Sequence, residues 1–253
     1  MNSLIVLNWN TTQLLIGMYL SAKENAAEKF NTIIVDNGSR EEELRKLNNY
    51  FCNEENITVV RLPKNIGFAA GNNVGLNEIK SFSFWQKIKC KNVFFINSDI
   101  VIEEKNWDIK LTELKDSITG SAYHPLRWSK DARFQIQPIP TTPVESESVQ
   151  GAFFSIPFHI LEEVKERDGC WFDENFKFAH YEETDLQLRI MQLGYKCYWV
   201  PIKHVHLHNS SSTKSNGYKL CDEIQNEQQF KANSEKNRQL LLKKHVEFFK
   251  AKL

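Results

Sequence analysis

Four short apolar runs set apart by helix-like stretches constrain the fold more than any other feature of this chain. "SLIVLNW", "NTIIVD", "ITVVRL" and "NVFFIN" are separated by "TQLLIGMYLSAKENA", "REEELRKLNNYF" and "GNNVGLNEIKSF". Short, β-rich runs without a solvent-facing alternation suit strands that are buried on both faces. Their alternation with helices predicts an α/β fold, a single mainly parallel sheet flanked by helices. Ligands in such sheets bind beyond the carboxyl ends of the strands. Three polar clusters fall at those ends: Asp36-Asn37-Gly38-Ser39, Asn65-Ile66-Gly67 and Asn97-Ser98-Asp99. They lie far apart in sequence and are expected to converge in space.

From about Thr119 the pattern changes. "SAYHPLRWSKDARFQIQPIPTTPVESES" is Pro-rich and non-periodic, as a loop or irregular hairpin is. A strand ("VQGAFFSI"), a helix ("PFHILEEVKE") with Pro157 near its first turn, a second helix opened by acids ("HYEETDLQLRI") and a strand ("YKCYWVP") follow. A histidine-bearing extended segment then leads to a polar loop and a long charged helical tail. No internal repeat or linker marks a second independent domain.

Composition excludes several classes of function. Lys+Arg and Asp+Glu are both 32, so no bulk attraction to nucleic acid is indicated. The five cysteines form no C-x-x-C pair, which argues against a zinc site or disulfide framework and for free thiols in a reducing compartment. No run approaches the roughly 20 apolar residues of a membrane span. The start, "MNSLIVLNWN", reads as a first strand rather than a signal peptide. A soluble, cytoplasmic protein is expected.

Each cluster has a structural and a chemical reading. Asp99, just past a buried strand, can hold a divalent cation that bridges phosphate oxygens, or can cap the next helix. In "NIGFAAGNNVG", Gly67, Gly71 and Gly75 can let backbone approach a ligand while Asn65, Asn72 and Asn73 supply hydrogen bonds; a plain loop and helix start fits equally. The run matches neither a Walker loop nor G-x-G-x-x-G. His204, His206 and His208 alternate, so a strand would turn all three to one face. Which of them meets a metal, if any, stays open. The basic residues of the tail read as a solvated amphipathic helix. On a helical wheel Leu186, Ile190 and Leu193 make a buried stripe that Glu182 and Glu183 flank from opposite sides. Asp185 stands four residues before Arg189, as an i,i+4 ion pair requires. Repulsion among the three acids is expected to raise at least one pKa.

Together these segments resemble the family 2 glycosyltransferases of GT-A fold, particularly a bacterial rhamnosyltransferase-like branch. "IIVDNGS", "NIGFAAGNNVGL", "FFINSD", "GAFFSIPFHILEEV", "FDENFKFAHYEETDLQLRIMQLGYKCYWVP" and "HVHLHNSSST" occur in the expected order between Leu4 and Thr213. The resemblance implies a GT-A domain over 1–215, with a nucleotide-sugar part (1–118) and an acceptor and catalytic part (119–215), and a helical extension over 216–253. It implies transfer from a UDP-, dTDP- or GDP-linked sugar to a hydroxyl of a glycan or lipid-linked acceptor in cell-surface polysaccharide synthesis, with peripheral contact at the inner face of the membrane. The donor would be held by Asp36, Asn37, Asn65, Gly67, Phe68, Asn72, Asn73, Asn97 and Ser98. Mg²⁺ or Mn²⁺ would sit at Asp99, with His206 and His208 as further candidates. Glu183 would be the base, supported by Glu182, with Asp185 paired structurally beside them and Gly151 and His180 near the acceptor. Two departures stand out: Glu183 replaces the family's usual aspartate, and Ser98 its usual proline. The alternatives are a sugar-phosphate nucleotidyltransferase, whose Gly-rich, Lys/Arg-bearing loop is missing after the first strand, and a non-catalytic nucleotide-sugar-binding subunit.

Overall fold

The computed structural model describes residues 1–86, 89–178, 180–207 and 217–252, with backbone only for 82–86. The alternating half folds as the periodicity predicts: β1 (Asn2–Asn8), α1 (Thr12–Asn25), β2 (Phe30–Asp36), α2 (Glu41–Phe51), β3 (Ile57–Arg61), α3 (Phe68–Gln86) and β4 (Asn92–Ile96). The remaining elements are β5 (Ile100–Ile102), α4 (Trp107–Thr112), β6 (Ser117–Gly120), β7 (Leu126–Trp128), β8 (Phe134–Ile136), β9 (Val144–Glu145), β10 (Phe153–Pro157), α5 (Phe158–Asp168), α6 (Glu182–Gln192), β11 (Lys196–Trp199) and β12 (His204–His206). The tail forms α7 (Glu227–Lys244) and α8 (Val246–Lys250).

One sheet of order β3-β2-β1-β4-β10-β6-β11-β9 runs through the molecule. β1, β2, β3 and β4 are parallel, and β10 is antiparallel to both β4 and β6. The one inserted antiparallel strand positions the site. Because β10 runs the other way, its leading residues, Gly151 and Ala152, arrive at the edge where β1 to β4 end; Asn97 N–H donates to the Ala152 carbonyl there (2.9 Å).

Two apolar layers cover the sheet. One packs α1 and α2 on Leu4, Val6, Phe94 and Trp107. The other packs α3, α5 and α6 on Ile5, Phe95, Phe154 and Ile156. Gly71 and Gly75 belong to this second contact: a Cβ on Gly75 would stand 2.8 Å from Ile5 Cγ2, and one on Gly71 3.1 Å from Leu7. These glycines let helix α3 press onto β1 and do not bring backbone to a ligand.

The sequence reading missed α4, β5, β6 and β9. All are six residues or fewer, too short to show a period of their own. The Pro-rich stretch does contain a hairpin, β7–β8, in which Trp128 faces Phe134 and Leu126 faces Ile136. The tail helix begins at Glu227, later than the charge pattern suggested, where the Asn226 side chain accepts from Gln229 N–H (2.9 Å). A third apolar cluster joins Trp128 and Ala132 of the hairpin to Phe176, Leu188 of α6, Leu241 and Phe249. The tail is thereby packed against the hairpin and α6. All five cysteines are free thiols, and no helix among the described residues is long and apolar enough to cross a membrane.

Candidate functional site

The carboxyl ends of β1 and β2 and the loop after β3 are held together by buried side-chain amides. Asn8 Nδ2 donates to Asp36 Oδ1 (2.9 Å) and reaches Thr12 Oγ1 (3.2 Å) and Ser39 Oγ (3.3 Å). Asn37 accepts from Ile66 N–H (2.9 Å) and donates to Asn65 Oδ1 (3.0 Å) and the Gly67 carbonyl (3.2 Å). Gly38 turns the chain at φ +78°, and a Cβ there would stand 2.4 Å from the Lys64 carbonyl carbon. The loops after β2 and β3 therefore interlock.

Beyond these ends lies a cleft of two adjoining chambers. The first, about 190 Å³, is lined by Leu7, Trp9, Asn37, Asn65, Gly67 and Asn97 among others. The second, about 480 Å³, is walled by Tyr123, Trp128, Phe134, Tyr181 and Phe230, with Glu182, Glu183 and Thr184 at one end. Phe68, Asn97, Asp99 and Phe178 line both chambers, so the passage between them runs past Asp99.

Asp99 and His206 meet because β12 pairs antiparallel with β5, which puts His206 opposite Ile100. His206 Nε2 lies 3.3 Å from Asp99 Oδ1, and the Tyr123 ring packs on the imidazole. His204 lines neither chamber; its Nδ1 bonds the Ile202 carbonyl and its ring is set against Phe153, and burial lowers its pKa. His208 lies outside the described residues.

One carboxylate and one imidazole at the passage are a donor set that a divalent ion fits. No cluster of three or more His, Cys, Asp or Glu among the described residues would close its coordination. Ions of this class that act on phosphates are commonly held by one or two side chains, the other positions being filled by phosphate oxygens and water. An imidazole nitrogen is a donor that transition metals such as Mn²⁺ accept, whereas Mg²⁺ prefers oxygen.

The acids of α6 divide as follows. Before the helix, Phe178, His180 and Tyr181 each have a positive φ, of 52°, 65° and 78°, which strains residues with side chains. This segment delivers the start of α6 to the second chamber. Glu182 is only 2% exposed, and its Oε1 has no hydrogen-bond partner. Burial raises the pKa of Glu182, and the neighbouring charge of Glu183 adds to the rise. Burial also raises that of Glu183, against the pull of its own N–H and those of Gly151 and Thr184. Asp185 faces the opposite way and lines neither chamber. Its carboxylate, fully buried, accepts from Arg189 Nε (2.8 Å) and His245 Nε2 (2.8 Å) and pairs with Lys244 Nζ (2.9 Å). Burial alone would raise its pKa; the His245 hydrogen bond and the charges of Arg189 and Lys244 overcome that and hold it at about 2.

Several residues expected to hold the donor line neither chamber. Asp36 is buried beneath the floor on Asn8 and the Ser39 N–H, and lines neither chamber. Asn72 bonds back to the Phe68 carbonyl in its own helix. Asn73 ties α3 to the Phe172 backbone and to Glu174. Asn37, Asn65, Gly67, Phe68, Asn97, Ser98 and Asp99 do reach the first chamber, Ser98 with its hydroxyl 3.1 Å from that of Thr11. Gly151 and His180 reach the second, and the His180 ring bonds Ser234 Oγ of the tail (2.8 Å). The aromatic wall was missed, since no local pattern distinguishes Tyr123, Trp128 or Phe230 from core aromatics.

Residues 3–137 match the family described as Glycosyl transferase family 2, more than half of the chain. No curated protein matches. Among solved structures, the chain is similar to GalNAc-T7 with UDP, GalNAc and Mn²⁺, at a TM-score of 0.66 and 17% identity, covering 81% of this chain and 43% of that one. It is also similar to the mannosyltransferase PcManGT from Pyrobaculum calidifontis in complex with GDP-Man and Mn²⁺ (TM-score 0.56, 14% identity, 79% of this chain and 54% of that one). A third is S. aureus TarS 1-349 (TM-score 0.54, 17% identity, 79% and 60%). The chain thus spans 43% to 60% of the length of these three proteins. At such identities the likeness shows the fold.

Proposed function

The chain belongs to glycosyl transferase family 2, and we propose that it is a metal-dependent, inverting enzyme of the rhamnosyltransferase-like branch. It moves a hexosyl or rhamnosyl unit from a nucleoside-diphosphate sugar to a hydroxyl of a glycan or lipid-linked acceptor in cell-surface polysaccharide synthesis. Residues 1–118 form the donor part, 119–215 the acceptor part, and 216–253 an extension that contributes Phe230 to the acceptor chamber. The nucleotide occupies the first chamber and the acceptor the second. Membership of the family sets aside the nucleotidyltransferase alternative.

The observation that carries this reading is the placement of Glu183 in the acceptor chamber, whose wall also holds Asp99 at the passage to the nucleotide. The family match ends at residue 137, so the role of Glu183 rests on this geometry. Its carboxylate takes the proton of the acceptor hydroxyl as that oxygen forms a bond to the anomeric carbon. The bond from that carbon to the diphosphate oxygen breaks on the opposite face, and the centre inverts. Asp99 and His206 would hold the ion, whose charge would offset that of a diphosphate leaving group. Asn37, Asn65 and the Gly67 turn orient the nucleotide. The raised pKa suits Glu183 to its task, since a stronger base accepts the hydroxyl proton more readily.

The test is a thermal-shift screen of UDP-, dTDP- and GDP-sugars with Mn²⁺, followed by turnover assays of Glu183→Gln. One nucleotide series should stabilise both proteins. Turnover by the variant should fall by about 10²–10⁴-fold, the usual contribution of a general base. Near-normal turnover by Glu183→Gln would sink the assignment.

A further inference from the structure

The inward face of the tail helix α7 is polar where an apolar stripe would be ordinary. Phe230, Asn233, Ser234, Asn237 and Leu241 recur at helical spacing on the side that meets the rest of the chain. Asn237 is only 3% exposed, and a buried amide is costly unless its hydrogen bonds are met. They are met on backbone. Asn237 Nδ2 donates to the Lys177 carbonyl (3.0 Å) and to the His180 carbonyl (3.2 Å). Asn233 Nδ2 donates to the same Lys177 carbonyl, and Ser234 Oγ bonds His180 Nδ1 (2.8 Å). Lys177 and His180 lie in neither a helix nor a strand, so their carbonyls have no ladder of their own to join.

The segment gripped in this way leads into the acids of α6. His180 and Tyr181 line the acceptor chamber, and both have positive φ. Backbone of that kind persists only where its surroundings over-determine it. Tyr181 makes no side-chain cap on α6, whose first turn is closed by Asp185 N–H donating to the Tyr181 carbonyl (2.9 Å). The tail therefore holds the chain on both sides of Glu182 and Glu183. Asn237 holds it before them; Lys244 and His245, through Asp185, hold it after them.

We propose that Asn237 is a positioning residue for the transfer: by bridging the Lys177 and His180 carbonyls it fixes the wall of the acceptor chamber and sets the Glu183 carboxylate against the acceptor. Its effect on the reaction passes through Glu183 and so rests on the reading of that residue given above. The hold on residues 177–181 does not depend on that reading and can be measured without turnover.

The experiment compares wild type with Asn237→Leu and Ser234→Ala. Leucine keeps the bulk and the helix and removes the donors. Ser234→Ala removes one hydroxyl from a partly exposed helical site that alanine suits, so it carries the same comparison if Asn237→Leu does not fold. Hydrogen exchange read by mass spectrometry should be about tenfold faster over residues 177–185 in Asn237→Leu, with the amides of β1 to β4 unchanged. The kinetic assay is release of nucleoside diphosphate from UDP-, dTDP- or GDP-sugars with Mn²⁺, water standing in as acceptor: its oxygen bonds to the anomeric carbon and its proton passes to Glu183. In Asn237→Leu kcat should fall by about tenfold or more. The donor KM should hold, because the bond between Asn37 and Asn65 is untouched. Ser234→Ala should move exchange and kcat the same way by a smaller factor. Unchanged exchange over 177–185, an unchanged kcat, or a kcat loss matched by a rise in donor KM would overturn the proposal. Loss of turnover in Glu183→Gln with kcat intact in Asn237→Leu removes only the role of Asn237. Intact turnover in Glu183→Gln removes the base assignment and the catalytic role of Asn237 with it, and leaves the exchange result standing.

Discussion

Gly151 lies where a side chain would collide with Glu183: an added Cβ would stand 3.1 Å from the Glu183 carboxyl carbon and 3.1 Å from its Cγ. The turn before β10 and the first turn of α6 are thus in van der Waals contact at the end of the acceptor chamber. The longer glutamate side chain is accommodated there by the absence of a Cβ opposite it.

Gly151→Ala should therefore displace the Glu183 carboxyl by a few tenths of an ångström or more. Small misplacements of a reacting group can be costly in rate, so kcat should fall by about tenfold or more. The donor KM should hold, because the nucleotide chamber is not touched. Steady-state kinetics over donor concentration checks the split.

The pair Glu182 and Glu183 makes a signed prediction about stability. Both folded-state pKa values lie above the ordinary glutamate value of 4.5, so the folded chain binds more protons than the unfolded chain. Any contribution these groups make is intact at low pH and declines as pH rises above 4.5 toward their raised values. Glu182→Gln removes one of the two titrations. Its melting temperature should gain on wild type as pH is taken from 5 to 8, and scanning calorimetry at those values decides it.

Asp185 makes the opposite prediction. Its pKa, held at about 2, is below the ordinary 3.8, so its contribution is present above 3.8 and is lost as pH falls toward 2. Asp185→Asn leaves Arg189 buried without that carboxylate and the His245 ring without its charged partner. The loss at neutral pH should be about 3–5 kcal/mol, the usual result of breaking a buried ion pair from one side. It should shrink in acid, where wild-type Asp185 is itself protonated. Denaturant unfolding at two pH values measures both.

Gly38→Ala should disable the nucleotide chamber. The residue sits at φ +78° with the Lys64 backbone 2.4 Å from where the Cβ would be, and that backbone leads into Asn65. Rearrangement would separate Asn37 from Asn65. A loss of about 1–3 kcal/mol in stability is expected from the strain, together with weaker stabilisation by the nucleotide-sugar. Thermal shift with and without donor separates the two effects.

Removal of the candidate ion ligands should be visible without turnover. Asp99→Asn should abolish the additional stabilisation that Mn²⁺ gives in the presence of a nucleoside diphosphate, whereas His204→Gln should leave it in place, since His204 faces Phe153. Equal Mn²⁺ responses in wild type and Asp99→Asn would count against the pair of Asp99 and His206.

The legible and illegible parts of the site differ in range. The loops after β2, β3 and β4 could be read because each is a polar cluster ending an apolar run, a signal contained within about ten residues. Asp36, Asn72 and Asn73 belong to the same polar clusters, and all three bond to protein and line neither chamber. An amide or carboxylate next to a loop looks alike in sequence whether it faces the ligand or supports the loop from behind. The i,i+4 spacing alone predicts the pair of Asp185 with Arg189, and that pair is present. Its other partners, Lys244 and His245, come from the tail some 60 residues away, and no spacing rule reaches them.

The sequence by itself determined the alternation of strands and helices, the polar edge where the parallel strands end, and the acids at the start of α6, because these follow from local periodicity and side-chain chemistry. Tertiary structure decided which of those groups share a cavity. The reversed strand β10 carries Gly151 to the edge of β4, β12 pairs with β5 to lay His206 beside Asp99, and the tail supplies Phe230 to a wall begun by Trp128. Each of these placements depends on strand pairing and packing between residues distant in the chain, where the energy lies in the assembled contact and neither segment shows it alone.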